Sequence, residues 1–184
     1  MEAHAEVVKF LITRKANVNL AEPCGGFTAL HFAYITGIMS IIELLMSKGA
    51  KHDVRTKLGG TPLHHQAAGQ GHKEAVAYLL DHGADINDVD DDGMTPLMHA
   101  ADDNQLPIVD LLLLRGAVPN LIDKEVKGPA LHFAVFNGHL EVVRRLVDGG
   151  ADVNQEDCEG STSLAVAAQE DHFEIVKVSF GDGS

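Results

Sequence analysis

The sequence predicts an all-α fold, an α-solenoid of stacked helix-turn-helix units joined by polar, turn-rich connections. Three observations predict it. Leu30, Leu63, Leu97, Leu131 and Leu164 recur at intervals of 33, 34, 34 and 33 residues, a period that belongs to arrays of stacked helix pairs. The first four sit in related stretches, TALHFA (Thr28 to Ala33), TPLHHQAA (Thr61 to Ala68), TPLMHAA (Thr95 to Ala101) and ALHFAV (Ala130 to Val135), each closed downstream by GAK, GADIN, GAVPN or GADVN. Between these landmarks the apolar residues keep helical spacing, as Ala75, Val76, Leu79 and Leu80 do.

On these motifs the chain resembles the ankyrin repeat family, and the resemblance runs from Met1 to Ser184. It implies one ankyrin-repeat domain over residues 1–184, with a half repeat at 1–19 and repeats at about 23–55, 56–89, 90–122, 123–156 and 157–184. It also implies that the connections project as β-hairpin or loop fingers. The motifs have physical reasons of their own. Thr61 and Thr95 suit helix caps, and Pro62 and Pro96 suit the first helical position, where a missing N–H costs nothing. Gly83 ends the second helix in a left-handed turn that glycine adopts cheaply. No helix pair of this size buries its apolar face alone, so stability comes from repeat lying on repeat.

Taken in order, Ala5 to Asn19 reads as a second helix with its terminal turn, Lys15 standing where glycine usually ends the helix. The usual Thr-Pro start is missing, as in an excerpt of a longer protein or a capping half repeat. Pro23 to Gly26 is a finger with one extra residue, and Thr28 to Ala50 forms the next helix pair. In the unit from Thr61 an additional residue is assigned to His64-His65-Gln66, to be absorbed as a bulge or an altered helix start. Asn104-Gln105 replaces the usual Gly-His, and Pro107 falls in the first turn of its helix. Another single insertion lies between Leu121 and Ala130, where Pro129 takes the threonine position and the side-chain cap is lost. The last unit keeps Thr162 but ends in Ser179-Phe180-Gly181, which predicts a frayed end.

Formal net charge is −13, which argues against nucleic acid or an anionic membrane surface as a partner. Between Glu74 and Leu114 there is no Lys or Arg, while ten acids fall in that stretch. No apolar run approaches the roughly 18 residues of a membrane span, and MEAHAEVVKF carries no secretory signal. Cys24 and Cys158 fall on fingers four repeats apart, too far to bridge, so free thiols in a reducing compartment are expected, cytoplasmic or nuclear.

Eleven histidines raise the question of a metal site. The repeat accounts for most of them: His31, His64 and His132 end the Thr-Pro-Leu-His motif, His72, His139 and His172 open second helices, and His4 holds the matching place in the half repeat. His52, His65, His82 and His99 are left over, without the spacing of a zinc site. Asp88-x-Asp90-x-Asp92-Gly93 matches the first half of a calcium loop, but position twelve would be His99 instead of glutamate. No nucleophile elbow, phosphate loop or paired catalytic set is present. The expectation is a non-enzymatic chain with no cofactor and no metal.

Members of the family bind protein partners on a concave surface of finger tips and outward residues late in each first helix. The register assigns Asp91, Asp92, Met94, Asp102 and Asp103 to that surface, with Lys57, Leu58, Gly60, Gly69 and Gln70 on one side and Lys124, Glu125, Phe136 and Asn137 on the other. Glu159, Ser161, Gln169 and Glu170 extend it toward the C-terminus, and Phe27, Ile35 and Thr36 toward the N-terminus. Five carboxylates converging from Asp90 to Asp103 beside apolar Phe136, Ile35 and Met94 suit a basic partner with apolar anchors. The alternative is that Asp-rich fingers serve solubility. The resemblance further marks Asn87 and Asn154 as acceptors for hydroxylation by a 2-oxoglutarate-dependent enzyme, although asparagine in this turn also bonds its own backbone. A second reading makes the chain a structural or regulatory segment of a larger protein such as a channel, kinase or toxin. Oligomeric state is open.

Overall fold

In the computed structural model, residues 2–69 and 72–179 are described. Gln70 and the frayed end expected at Phe180 and Gly181 lie outside them, and so does the side chain of His4. Thr-Pro starts α4 (Pro62–Ala68) and α6 (Pro96–Asp102), with Thr61 and Thr95 in extended backbone as the caps. The same register places α2 (Ala29–Ile35), α8 (Ala130–Phe136) and α10 (Ser163–Gln169). The longer second helices are α3 (Met39–Ser47), α5 (Lys73–Asp81), α7 (Leu106–Leu114) and α9 (Leu140–Asp148), followed by α11 (Phe173–Ser179) and preceded by α1 (Glu2–Thr13). The described residues are thus an all-helical solenoid of eleven helices.

The short helices pack in the order α2, α4, α6, α8, α10 as an inner layer, and α5, α7, α9, α11 pack as an outer one, with α1 against α3. Leu30, Leu63, Leu97 and Leu131 are buried at the seam between the layers, as are Ile42, Val76, Leu79, Leu112 and Leu146 from the outer helices. Burying one such leucine stabilises by roughly 1.5–3 kcal/mol. Ion pairs stitch successive outer helices: Arg115 reaches Asp81 at 2.7 Å, and Arg145 pairs with Asp110.

The helix caps explain the repeated histidine. The Thr61 N–H donates to His64 Nδ1 at 3.2 Å, so the proton sits on Nε2, which donates to the Asp88 carbonyl at 3.1 Å. His64 therefore ties its own helix start to the next finger. His132 reaches the next finger through the Ser161 carbonyl at 3.0 Å, but Pro129 offers no N–H and His132 Nδ1 faces the Ser163 hydroxyl at 3.2 Å instead; Met98, standing where the histidine would be, accepts the Thr95 N–H on Sδ at 3.3 Å. His139 and His172 reach back to the carbonyls of Asp102 and Phe136 at 2.9 and 3.0 Å.

Three sequence expectations need correction or completion. The extra residue of the central unit is not in His64-His65-Gln66: α4 has the same seven residues as its neighbours, and the insertion falls between Ala68 and Lys73. In consequence Gln66 takes the buried position held by Ala33, Ala100, Ala134 and Ala167, and both of its amide atoms lack a protein partner. Lys15 adopts the left-handed turn at φ 66° despite its side chain. The fingers are loops rather than hairpins, with a single antiparallel bridge, Glu156 to Thr162, among the described residues.

Candidate functional site: the finger and inner-helix face

Each finger is closed by one backbone bond: Thr56 to Gly60, Asp90 to Met94 and Asp157 to Ser161 across four residues, and Glu22 to Phe27 and Asp123 to Gly128 across five. The two wider closures are those read as carrying an extra residue. A carboxylate organises four of the five loops. Glu22 accepts the N–H groups of Cys24, Gly25 and Phe27; Asp90 those of Asp92 and Met94; Asp123 those of Glu125, Val126 and Gly128; Asp157 those of Glu159 and Ser161. Thr56 stands in the second finger. This register of acids is visible in the sequence, where Asp90 reads as part of the acidic stretch.

One backbone bond links each finger to the next: Lys57 N–H to Gly25, Asp91 to Leu58, Lys124 to Asp92 and Cys158 to Val126, at 2.8, 3.2, 2.9 and 2.8 Å. At three of the four links the approach falls on a glycine, Gly26, Gly59 or Gly93, while the fourth finger holds Lys127 in the same left-handed turn at φ 53°. At Gly93, φ is +81°, and an added Cβ would come within 2.9 Å of the Lys124 backbone nitrogen. The fingers therefore form a continuous edge above the inner helices.

The structure divides the acidic stretch. Asp88 faces Arg55 at 2.5 Å, Asp81 and Asp110 meet Arg115 and Arg145, and Asp90 is buried with Oδ2 2.8 Å from His99 Nε2. Arginines of neighbouring repeats thus match three of the ten acids, and Asp90 leaves the expected group of five. Burial works to raise the Asp90 carboxyl, but the bond from His99 and the Met94 N–H outweigh it and hold it below its usual range. Asp88, Asp90 and Asp92 do not converge on one point. No group of three metal-ligating side chains able to hold an ion occurs among the described residues.

Of the residues assigned to the recognition surface, Asp91, Asp92, Asp103, Glu159 and Glu170 are exposed, as are Leu58 and Phe136, while Asp102 and Met94 are half-buried. Burial, reinforced by Asp102 beside it, raises the Asp103 carboxyl above its ordinary value. Three others are engaged within the chain. Lys57 donates to the Pro23 carbonyl at 2.5 Å, Lys124 to the Asp91 carbonyl at 3.0 Å, and Asn137 to Asp102 at 2.8 Å. Asn87, in the outer turn, accepts the Val118 N–H at 2.9 Å, as Asn19 and Asn120 accept Lys51 and Asp152, so this asparagine joins successive repeats. Asn154 is exposed. Both cysteines are exposed and free, and no described helix is long and apolar enough to cross a membrane.

The sequence motif missed an aromatic component of this face. Phe27 packs its ring against Phe32 at 5.5 Å and His65 at 4.9 Å, and His65 lies 5.8 Å from His31. His65 and His99 occupy the register of Phe32 and Phe133, so two of the four leftover histidines serve as wall rings of the inner layer, while His82 stacks on Tyr78 at the end of outer helix α5.

Comparison with known proteins agrees with this architecture. A family model described as ankyrin repeats (3 copies) matches residues 39–123 and 103–178. The chain is 37% identical to the B-cell lymphoma 3 protein homolog of Mus musculus, over 94% of this chain and 39% of that protein. It is 32% identical to the ankyrin repeat and KH domain-containing protein mask-1 of Caenorhabditis elegans, over 98% and 7%. To palmitoyltransferase ZDHHC17 of Homo sapiens it is 36% identical, over 77% and 28%. The chain spans between 7% and 39% of the length of these three relatives. With stacked helix pairs, capped starts and finger loops all in register, the chain belongs to the ankyrin repeat family, whose repeats are non-catalytic protein-interaction modules.

Proposed function

We propose that the chain is a non-enzymatic recognition module that binds a basic protein segment with apolar anchors on its finger and inner-helix face. The observation that carries the reading is the separation of charge. Asp91, Asp92 and Asp103 are exposed, with Asp102 half-buried beside them, whereas the acids of the outer helices α5 and α7 include two matched by arginine. A clustered, unmatched carboxylate group steers a cationic partner and raises its association rate. The same charge disfavours nucleic acid. Two exposed free thiols support a reducing compartment, cytoplasmic or nuclear.

The test is association with a partner captured by the intact chain. Asp91→Lys with Asp103→Lys is expected to slow association and flatten its salt dependence. Unchanged rates would reject the acidic surface. A second reading, that the array is a structural or regulatory segment of a larger protein, is supported by the small share of each relative that it matches. Full-length transcripts ending at these residues would count against it.

A further inference from the structure

The wall of inner helices is filled unevenly. At matching positions of α2, α4, α6, α8 and α10 stand Phe32, His65, His99, Phe133 and Val166. Other rings pack on this row: Phe27 of the first finger lies 5.5 Å from Phe32 and 4.9 Å from His65, and His64 lies 5.8 Å from His99. Between α8 and α10 the row of rings ends in a valine. A cleft of about 280 Å³ opens there, lined by Val126, Phe133, Phe136 and Val166, with Asp102 and Asp157 also in its walls. Its volume falls just below the roughly 300–1,000 Å³ of small-molecule sites, a size suited to one bulky side chain rather than a cofactor.

The chain holds this cleft in place from several sides. The fourth finger's extra residue is gathered by Asp123, whose carboxylate accepts the Val126 N–H at 3.0 Å, and the Val126 carbonyl accepts from Cys158. Asn137 fixes Asp102, and the N–H groups of Glu159 and Ser161 fix Asp157. Lys124, on the same finger, is turned to the Asp91 carbonyl. The result is an apolar slot between two oriented carboxylates, with no Lys or Arg among its lining residues.

We infer that this cleft is the anchor site for the partner: it takes one large apolar side chain from an extended segment that carries lysine or arginine on both sides of it. The cationic neighbours meet Asp102 and Asp103 on one side and Asp157 on the other. The inference rests on the recognition reading above and adds the location and chemical class of the anchor.

The test is a titration of the full chain with a short synthetic peptide, one phenylalanine flanked by lysine and arginine, followed through the NMR signals of the Val126 and Val166 methyl groups. Those signals are expected to shift, and replacing the phenylalanine by serine or the basic residues by glutamine is expected to weaken binding about tenfold or more. Val166→Phe, which extends the row of rings into the cleft, weakens it likewise; Phe136→Ala, at an exposed position, gives a second handle should the larger ring disturb folding. Shifts at Asp91 and Asp103 that are indifferent to serine and to both variants overturn the anchor and leave the recognition reading standing. No shift in either region overturns the anchor, and the charge-reversal experiment on a captured partner then decides the recognition reading by itself.

Discussion

Gln66 occupies an alanine position in the core with neither amide atom satisfied by protein. A buried polar group without a partner costs about 1–3 kcal/mol. Gln66→Met keeps the volume and removes the polar atoms, so it is expected to stabilise the chain by about that amount, read as a higher urea midpoint. A lower midpoint would show that the amide is satisfied. Asp90 is the opposite case: its carboxylate holds two finger N–H groups and His99. Asp90→Ala is expected to cost about 1–3 kcal/mol in the same measurement. The sequence could not separate these roles, because a glutamine within His64-His65-Gln66 fits either side of a one-residue insertion, and turn acids look like surface acids.

At the level of elements, the inner helices were legible because Thr, Pro and a following histidine combine cap chemistry with a fixed register. The outer helices and the fingers were legible in length but not in linkage. Arg115 meets Asp81 across 34 residues, and a scan for local charge balance sees only a stretch without bases. Finger contact also hides in the glycines. Gly93→Ala imposes a left-handed backbone on a residue with Cβ, a strain of roughly 1–2 kcal/mol, and pushes into Lys124. Hydrogen exchange should then quicken at the Lys124 amide, which donates to Asp92; unaltered protection there would contradict the finger linkage. The cleft between α8 and α10 was invisible to the motif because it arises where Val166 ends a row of rings.

For the whole molecule, stability is expected to fall on acidification in two windows. Burial lowers His31 from 6.5 to about 4, with His65 adding repulsion, and burial likewise lowers His64 and His65. The folded state holds these rings neutral, so as pH falls below 6.5 the unfolded chain takes up protons first and stability declines toward about pH 4. Asp90, held low in the fold, contributes stability above its unfolded value that is lost only as pH falls through its lower folded value. Urea midpoints between pH 7.5 and pH 4.5 should therefore drop, and His65→Phe, which installs the residue found in register at Phe32, should flatten the slope. A midpoint constant over that range would contradict neutral, buried histidines.

The most direct measurement of the central claim compares two charge reversals of equal size in binding a captured partner. One is Asp91→Lys with Asp103→Lys on the finger and inner-helix face; the other is Glu43→Lys with Glu74→Lys on the outer helices, all four positions being exposed. Loss of association rate in the first and retention in the second is the predicted result. Equal losses in both would mean that net charge alone governs binding, and loss only in the second would place the partner on the outer helices.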